Sequence, residues 1–301
     1  SDVRPRNNQH FKGQGASLTI LEGTGKNYCF RAGTLGSSDG VVIGNMKIQN
    51  YGNSTSRAEY GAIQAQPTDT VANQFTYGVA NNWFIYDVEL SRNSSNGIRI
   101  SDNCTVYRCT SYGHTVTGIG GDRNRGGPIH TCTLEANGLN PATGANQNGA
   151  NAKFTWINSA EGYTEVVPLA AQRPKAQMVV ANCTFNATRS GIVGTCDIGL
   201  WFDLDVQNTR VYDSTFNGHT TTSIFWEGSN DGLAQGNTIN NSDGFGPAYN
   251  GDFSNAGICC GESTNITFRN NTVIDCTYAM MNRMSNRTSD WVNSNNSGFV
   301  N

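Results

Sequence analysis

The feature that most restricts the fold of this chain is a short phrase that recurs along it. The phrase begins with a small residue, continues with an apolar one and then alternates, as in GIRIS (97–101), GIGGD (118–122), GLWFD (199–203), SIFWE (223–227) and GICCG (257–261), with a looser copy at 151–155. The starts at 97 and 118, and at 199 and 223, are 21 and 24 residues apart. A repeat at this interval predicts a solenoid, whose coils bury their inward side chains by stacking.

A second phrase lies between copies of the first and consists of a small polar residue, Thr, and an apolar or small residue. Its copies begin at Cys109, Cys132, Cys183, Ser214, Asn237 and Asn271. Two short strands per repeat, with Gly and Asn at the turns, predict an all-β, single-domain parallel β-helix over 1–301, with loop insertions around 160–174 and 240–255. A β-sandwich or jelly roll is the alternative, but it does not explain a repeat in register. The tail at 293–301 reads as another coil starting, which is typical of a segment of a longer chain or of an assembly interface.

With both phrases in place, the sequence from Phe11 to Asn301 resembles the right-handed parallel β-helix proteins of the pectate-lyase-like superfamily. The opening GQGASLTIL (13–21) is similar to the first coils of such proteins, and 199–203 followed by 224–229 resembles secreted bacterial members associated with polysaccharides. The resemblance implies a lyase, a hydrolase or an epimerase. It does not select one, because the polygalacturonase set of motifs and the calcium-ligand trio of pectate lyases are not found; YGHT (112–115) is only a fragment of the first.

Alternation along a strand assigns each position of the first phrase to a face of the coil. Positions one and three point inward as a core column: Ile98, Ile100, Ile119, Gly121, Ala152, Phe154, Leu200, Phe202, Ile224, Trp226, Ile258 and Cys260. Positions two and four point outward. They form one column of Arg99, Gly120, Lys153, Trp201, Phe225 and Cys259, and another of Ser101, Asp122, Thr155, Asp203, Glu227 and Gly261. Equivalent residues of successive coils are expected about 4.8 Å apart.

The outward columns predict a binding site. Trp201 and Phe225 on adjacent coils predict an exposed aromatic platform for the flat faces of sugar rings, unless an inserted loop covers them. Asp203 and Glu227 follow as neighbouring carboxylates, which raise the free energy of ionising both unless a cation lies between them. Such a pair is typical of a general acid with its partner, of a divalent-cation site, or of solvated surface groups.

Other residues extend this predicted site. Lys153 is expected one coil before Trp201, where its ammonium can stabilise a carboxylate of the protein or of a uronate substrate. Asp205 adds a third carboxylate if its strand continues, and Arg99 and Asp122 lengthen the groove toward the first coils. The catalytic candidates are therefore Asp203, Glu227 and Lys153, and the substrate-binding candidates are Trp201, Phe225, Arg99, Asp122 and Asp205. No cofactor is required; calcium on Asp203, Glu227 and Asp205 is the one candidate.

The second phrase places three Cys, one Ser and two Asn in a column that reads as a buried ladder at a coil corner. Nine Cys is an odd number, so at least one thiol is not paired within the chain. Cys259 and Cys260 are expected on opposite faces. The four histidines are scattered, with no spacing that is typical of a metal site.

Charge and composition exclude several classes of function. A net charge of −3 without a basic cluster argues against nucleic acid, and no apolar run is long enough to span a membrane. The first residues lack the apolar centre of a signal peptide, and ten Asn-x-Ser/Thr sequons give weak support to an extracellular location.

Two functions remain open from the sequence. The first is a carbohydrate-active enzyme, a lyase or a hydrolase, that cleaves a polysaccharide in a surface groove. The second is a noncatalytic extracellular β-helix, such as an adhesin, a phage or viral fibre segment, or a filament subunit that associates through its terminal coils.

Overall fold

The computed structural model describes residues 2–32, 38–52, 61–65, 81–100, 103–122, 127–140, 142–145, 147, 149–155, 178–203, 206–240, 256–261, 263–283 and 298–299. The predicted insertion at 160–174 lies outside these residues, as does the insertion at 240–255 except for Asn240. The strands in chain order are β1 (His10–Lys12), β2 (Ile20–Glu22), β3 (Phe30–Arg31), β4 (Val42–Gln49), β5 (Gly61–Gln64), β6 (Phe84–Ser91), β7 (Asn96–Arg99), β8 (Thr105–Tyr107), β9 (Thr110–Tyr112), β10 (Thr117–Asp122), β11 (Gly127–His130), β12 (Thr133–Glu135), β13 (Ala150–Thr155), β14 (Met178–Ala181), β15 (Thr184–Asn186), β16 (Ile198–Asp203), β17 (Gln207–Tyr212), β18 (Thr215–Asn217), β19 (Thr222–Glu227), β20 (Asn230–Gln235), β21 (Thr238–Asn240), β22 (Ala256–Gly261), β23 (Thr264–Arg269), β24 (Thr272–Ile274), β25 (Tyr278–Arg283) and β26 (Gly298–Phe299).

These strands stack as a parallel β-helix, as the repeat predicts. One sheet has nine strands in the order β25-β22-β19-β16-β13-β10-β7-β5-β3, so each strand pairs with its equivalent in the next coil. The other sheet contains the remaining 17 strands. The pairing is parallel in both, as between β13 and β16 and between β17 and β20. No helix in the described part of the chain is long and apolar enough to cross a membrane.

From β7 to β24 each coil contains three strands, so the expectation of two was wrong there; in the coil before it, the long strand β6 follows β5 and pairs with both β8 and β9. The first phrase forms the strand of the nine-stranded sheet, the second phrase forms the last strand of the coil, and a middle strand such as β17 lies between them. The corner between the middle and last strands is short because one residue there adopts a left-handed conformation. That residue is Arg108, Thr131, Asn182, Asp213, Gly236 or Asn270 in successive coils, with φ from 46° to 71°. The middle strands have no recurring small residue to mark them.

The predicted core column is confirmed. Ile98, Ile119, Leu200, Ile224 and Ile258 are fully buried, and aromatic rings of successive coils stack on each other. The ring centroids of Phe154 and Phe202 are 6.0 Å apart, and those of Phe202 and Trp226 are 5.5 Å apart. Such ladders bury apolar area that a single coil could not cover.

The small residue that opens the first phrase also has a packing cause. A Cβ on Gly199 would lie 2.5 Å from the carbonyl oxygen of Ser223 and 2.9 Å from the ring of Phe216. Gly199 therefore faces the interior together with Leu200, while Ile198 belongs to a separate cluster with Trp201. This local departure from strict alternation requires a residue without a large side chain.

The column of the second phrase is a buried hydrogen-bond ladder, as predicted. The backbone N–H of Cys183 donates to Ser214 Oγ at 3.1 Å, that of Ser214 to Asn237 Oδ1 at 3.0 Å, and that of Asn237 to Asn271 Oδ1 at 3.0 Å. Asn237 Nδ2 also donates to the carbonyl of Val211 at 3.1 Å. All nine cysteines are free thiols, and Cys259 and Cys260 belong to different clusters on opposite faces.

Replacing Asn237 by Leu is expected to lower the free energy of unfolding by about 2–4 kcal/mol, because the buried N–H of Ser214 and carbonyl of Val211 lose their partners. Urea unfolding followed by circular dichroism measures this loss. The matched control is Asn237→Ser, since Ser214 already holds the same position one coil earlier; it should cost well under half as much. Equal losses in the two variants would contradict the ladder.

Candidate functional site

The predicted outward columns come together on β13, β16 and β19. Lys153 lies beside Trp201, which lies beside Phe225 on the next coil. In the second column, Asp203 lies beside Glu227. β13 pairs directly with β16 and β16 with β19, so these residues occupy three consecutive coils. We call Lys153, Trp201, Asp203, Phe225 and Glu227 the outer cluster.

Lys153 is the cation of the outer cluster. Its Nζ lies 2.9 Å from Asp203 Oδ2 and 3.2 Å from the centroid of the Trp201 ring. Lys153 and Asp203 are diagonal neighbours on adjacent strands, a geometry that long side chains can bridge. The ammonium is therefore held by both a carboxylate and an indole face.

The second carboxylate has a different partner. Glu227 Oε2 accepts a hydrogen bond of 3.1 Å from Trp201 Nε1, and the Trp201 ring stacks on Phe225 with centroids 5.7 Å apart and an interplanar angle of 26°. Trp201 therefore contacts Lys153, Glu227 and Phe225 at once. Asp203 and Glu227 thus differ in environment, and such differences separate the roles of paired carboxylates.

The expectation of an exposed aromatic platform was wrong. Trp201 and Phe225 are 3% and 1% exposed, and Asp203 and Glu227 are each 4% exposed. On this face a second hydrophobic cluster forms outside the coil, from Ala150, Ile198, Trp201, Phe225, Ala256 and Cys259, with Met281 against it. Alternation identifies the face on which a side chain lies, but not whether that face is covered. The burial agrees with the alternative in which the pair is covered.

One atom of the outer cluster is left without a partner. Asp203 Oδ1 is buried and accepts no hydrogen bond among the described residues, whereas Oδ2 of the same carboxylate holds Lys153. A buried charged oxygen without a donor is costly, and in native proteins it calls for an explanation such as a ligand or an ordered water. Asp203 Oδ1 is therefore the acceptor of this cluster that a ligand hydroxyl would satisfy.

The remaining predicted site residues extend along the same sheet or lie outside the described residues. Arg99 lies beside Gly120, which lies beside Lys153, so two coil spacings separate the two cations; Arg99 is buried. Asp122 ends β10 beside Thr155, but its side chain lies outside what is described, as does the whole of Asp205.

His114 and His219 are structural residues of an interior ladder. The backbone N–H of Asn93 donates to His114 Nδ1 at 3.1 Å, and His219 Nε2 lies 3.1 Å from Asn151 Nδ2. Both imidazoles are fully buried, and this desolvation lowers the pKa of each to about 3. They are neutral at physiological pH and lie inside the coil, away from the outer cluster.

The calcium prediction uses the carboxylates of Asp203, Glu227 and Asp205. No group of three or more His, Cys, Asp or Glu side chains lies close enough to hold a metal ion within the described part of the chain. Calcium takes six to eight oxygen ligands. Asp203 pairs with an ammonium and Glu227 with an indole. Calcium that also uses Asp205 stays a prediction.

Sequence reasoning identified nothing on the middle strands, because it did not predict them as separate strands. Their outer face carries Tyr86, Tyr107 and His130 on consecutive coils. The available signal was the alternation of aromatic residues in Phe84-Ile85-Tyr86 and the position of Tyr107, two residues before Cys109.

Together, the stacked coils and the registered columns define a parallel β-helix protein with a polar and aromatic cluster on one outer face. No family model matches the sequence, and no curated protein matches it. A structure described as XylC in complex with xylose is 13% identical, over 82% of this chain and 38% of that one, with a TM-score of 0.53. The chain thus spans well under half of that structure, and at this identity the likeness shows the fold.

Two further solved structures resemble the chain at lower similarity. The catalytic domain of a GH87 α-1,3-glucanase in complex with tetrasaccharides is 9% identical, over 100% of this chain and 62% of that one, with a TM-score of 0.44. The surface protein and adhesin PfbA of Streptococcus pneumoniae is 11% identical, over 95% of this chain and 89% of that one, with a TM-score of 0.40.

Proposed function

We propose that this protein is a carbohydrate-active parallel β-helix that hydrolyses a polysaccharide between Asp203 and Glu227. The observation that carries the proposal is the registered pair of carboxylates on adjacent coils, one of which has a buried oxygen that accepts no hydrogen bond among the described residues. Parallel strands lie about 4.8 Å apart, and the carboxyl groups of retaining glycosidases are about 5–5.5 Å apart. The spacing supports retention over inversion, which needs a wider gap for water.

The two surroundings support a division of roles. Asp203, ion-paired with Lys153, is the nucleophile, and its free Oδ1 forms the bond to the anomeric carbon as the glycosidic bond breaks. Glu227, held by the Trp201 indole, gives its proton to the leaving oxygen. In the second step Glu227 takes a proton from water, whose oxygen displaces Asp203 and regenerates both groups.

Lys153 also argues for hydrolysis over a lyase reaction. A lyase requires a cation at the uronate carboxylate and a base at the neighbouring carbon. The Lys153 ammonium is already engaged with Asp203 Oδ2 at 2.9 Å and with the Trp201 ring, and Arg99 lies two coils away. Xylose, with which the XylC structure is described, is a ligand of the class that we assign to this chain.

Asp203→Asn and Glu227→Gln are each expected to reduce cleavage at least about 100-fold, since each removes a group that acts on the reacting atoms. The assay follows new reducing ends and the ultraviolet absorbance of unsaturated products together. It uses a panel of neutral and uronate-containing polysaccharides, with and without added calcium. Reducing ends without absorbance are the expected result, and calcium should not change the rate.

The matched control is Asp213→Asn, a change of the same chemistry at an exposed corner where φ is 46° and Asn is well tolerated. It should retain full activity. Ultraviolet absorbance that rises with each cleavage would show a lyase reaction and not hydrolysis. Loss of activity when calcium is chelated would support the calcium site. Absence of cleavage across the panel would remove the catalytic proposal.

A noncatalytic role is the second candidate, and two observations favour it. The outer cluster is buried, which restricts access to its carboxylates. Large apolar side chains are also exposed in the first and last coils: Leu18 and Ile20 are 71% and 51% exposed, and Ile274 and Tyr278 are 45% and 52% exposed. Such ends suit association with further coils or copies. If no polysaccharide is cleaved, we propose that the protein is a noncatalytic extracellular β-helix that self-associates.

A further inference from the structure

A column of aromatic side chains runs along the outer face of the middle strands, on a different sheet from the outer cluster. Tyr86, Tyr107 and His130 lie side by side on β6, β8 and β11. After Ala181 on β14, Tyr212 follows on β17. The alternate residues of these strands are fully buried in the core, so the rings point away from it. All four rings are half-buried.

The rings are held in place by their neighbours. Phe84, which is 37% exposed, stacks on Tyr86 with centroids 5.1 Å apart and an interplanar angle of 15°. The Tyr107 and His130 rings are 5.9 Å apart. The guanidinium of Arg108 lies 4.7 Å from the centroid of Tyr107. Aromatic residues in register on the outward side of successive coils present partly exposed flat apolar surface, which is what the faces of sugar rings bind.

The same face continues into a cleft of about 400 Å³ on β17, β20 and β23. Its charged lining residues are Arg210, Asp231 and Arg269. Arg210 Nη1 donates to the backbone carbonyls of Thr209 and Asp231 at 2.8 and 2.7 Å, not to a carboxylate. Arg269 is exposed. Two guanidinium groups therefore face one lining carboxylate, Asp231, and the excess is positive.

We propose that this face, from Phe84 to Arg269, is a noncatalytic binding surface for an acidic polysaccharide that lies along the axis of the solenoid. Sugar rings stack on Tyr86, Tyr107 and His130, and a carboxylate of the chain is bound by Arg210 and Arg269. Aromatic residues in register on three consecutive coils match a linear ligand with repeated flat units. A nucleic acid does not fit, because the face lacks the stripe of cations that a phosphate backbone requires.

The surface serves attachment and not cleavage, since the proposed catalytic carboxylates lie on the other sheet. A chain bound here remains at the protein while other segments of the same polymer reach the outer cluster, which raises their effective concentration. The inference does not depend on catalysis: it holds equally for a noncatalytic β-helix.

The test is calorimetric titration of the Asp203→Asn protein, in which cleavage is disabled, with a hexamer of galacturonic acid and with the same hexamer after reduction of its carboxyl groups. Tyr107→Ala is expected to weaken binding of both hexamers about tenfold, and Tyr107→Phe, which keeps the ring, should bind within about twofold. Arg269→Ala should weaken binding of the acidic hexamer alone, about tenfold.

Tyr278→Ala is the matched control, because Tyr278 is exposed on β25 and away from the column; it should leave both affinities unchanged. Circular dichroism and thermal unfolding verify the fold of each variant. If Tyr107→Ala does not fold, the affinities of Arg269→Ala for the two hexamers test the proposal. Absence of binding to the acidic hexamer, equal affinity for both hexamers, or equal loss in Tyr278→Ala would overturn the proposal. Polysaccharide cleavage by Tyr107→Ala, with Asp203 intact, is measured in a separate assay. Binding then tests the proposed surface and cleavage tests the catalytic proposal, so a failure of one is distinguished from a failure of the other.

Discussion

Acidification is expected to unfold this protein steeply between about pH 6.5 and pH 3, because His114 and His219 must gain protons on unfolding. Burial lowers the pKa of each imidazole to about 3 in the folded state. The folded state therefore holds both imidazoles in their neutral forms. Their contribution to the free energy of unfolding is complete above the pKa of the unfolded chain and is lost as the pH falls below it. Each histidine contributes about 1.4 kcal/mol per pH unit in this window, and the two together about 2.7.

By pH 4.5 the combined loss reaches about 5 kcal/mol, which is comparable to the whole stability of many domains. The measurement is the free energy of unfolding in urea at half-unit steps from pH 7 to pH 4. One variant separates the histidines from the carboxylates. His219→Gln should reduce the slope by about half. An unchanged slope in His219→Gln would contradict the assignment.

Lys153→Met is expected to lower the free energy of unfolding by about 3–5 kcal/mol, since it leaves the buried Asp203 carboxylate without its counter-ion. The Asp203 side chain is 6% exposed, and Lys153 Nζ lies 2.9 Å from its Oδ2. The second change Asp203→Asn removes the uncompensated charge, so the double variant should recover most of the loss. A double-mutant cycle in urea therefore measures a strong coupling between the two sites.

The molecule supplies its own control for this pair. Lys47 Nζ also lies 2.9 Å from a carboxylate, that of Glu89, but the Glu89 side chain is 30% exposed. Lys47→Met should cost only about 0–1 kcal/mol, because water solvates the remaining carboxylate. Similar losses in Lys47→Met and Lys153→Met would show that burial of the ion pair does not matter. Loss of polysaccharide cleavage in Lys153→Met, with the fold retained, would agree with its proposed role beside the nucleophile.

Much of the fold follows from the sequence because stacking imposes a repeat on it. The inward column, including Phe154, Phe202 and Trp226, was predictable, since each coil must present apolar residues at the same positions. The polar ladder through Ser214, Asn237 and Asn271 was predictable for a related reason: only small polar side chains satisfy backbone groups of the next coil at a buried corner. The middle strands were not predicted, because their outward positions do not require the same type of residue in each coil.

The site was only partly predictable. The register that places Lys153 beside Trp201, and Asp203 beside Glu227, follows from counting positions within each phrase. The burial of Trp201 does not follow, because alternation along a strand reports a direction and not what lies above it. The choice of Asp203 as the partner of Lys153 is a diagonal contact between coils, which depends on side-chain conformations that no local pattern contains.

The sequence by itself determined the solenoid, its coil length and the columns of its first sheet, since these are consequences of periodic local constraints. Only the tertiary structure decided three features: the outer cluster is buried, Lys153 pairs with Asp203, and the aromatic residues of the middle strands lie in register. The physical reason is common to all three. Burial, ion pairing and alignment between coils depend on residues that are distant in the chain and become neighbours only when the coils stack.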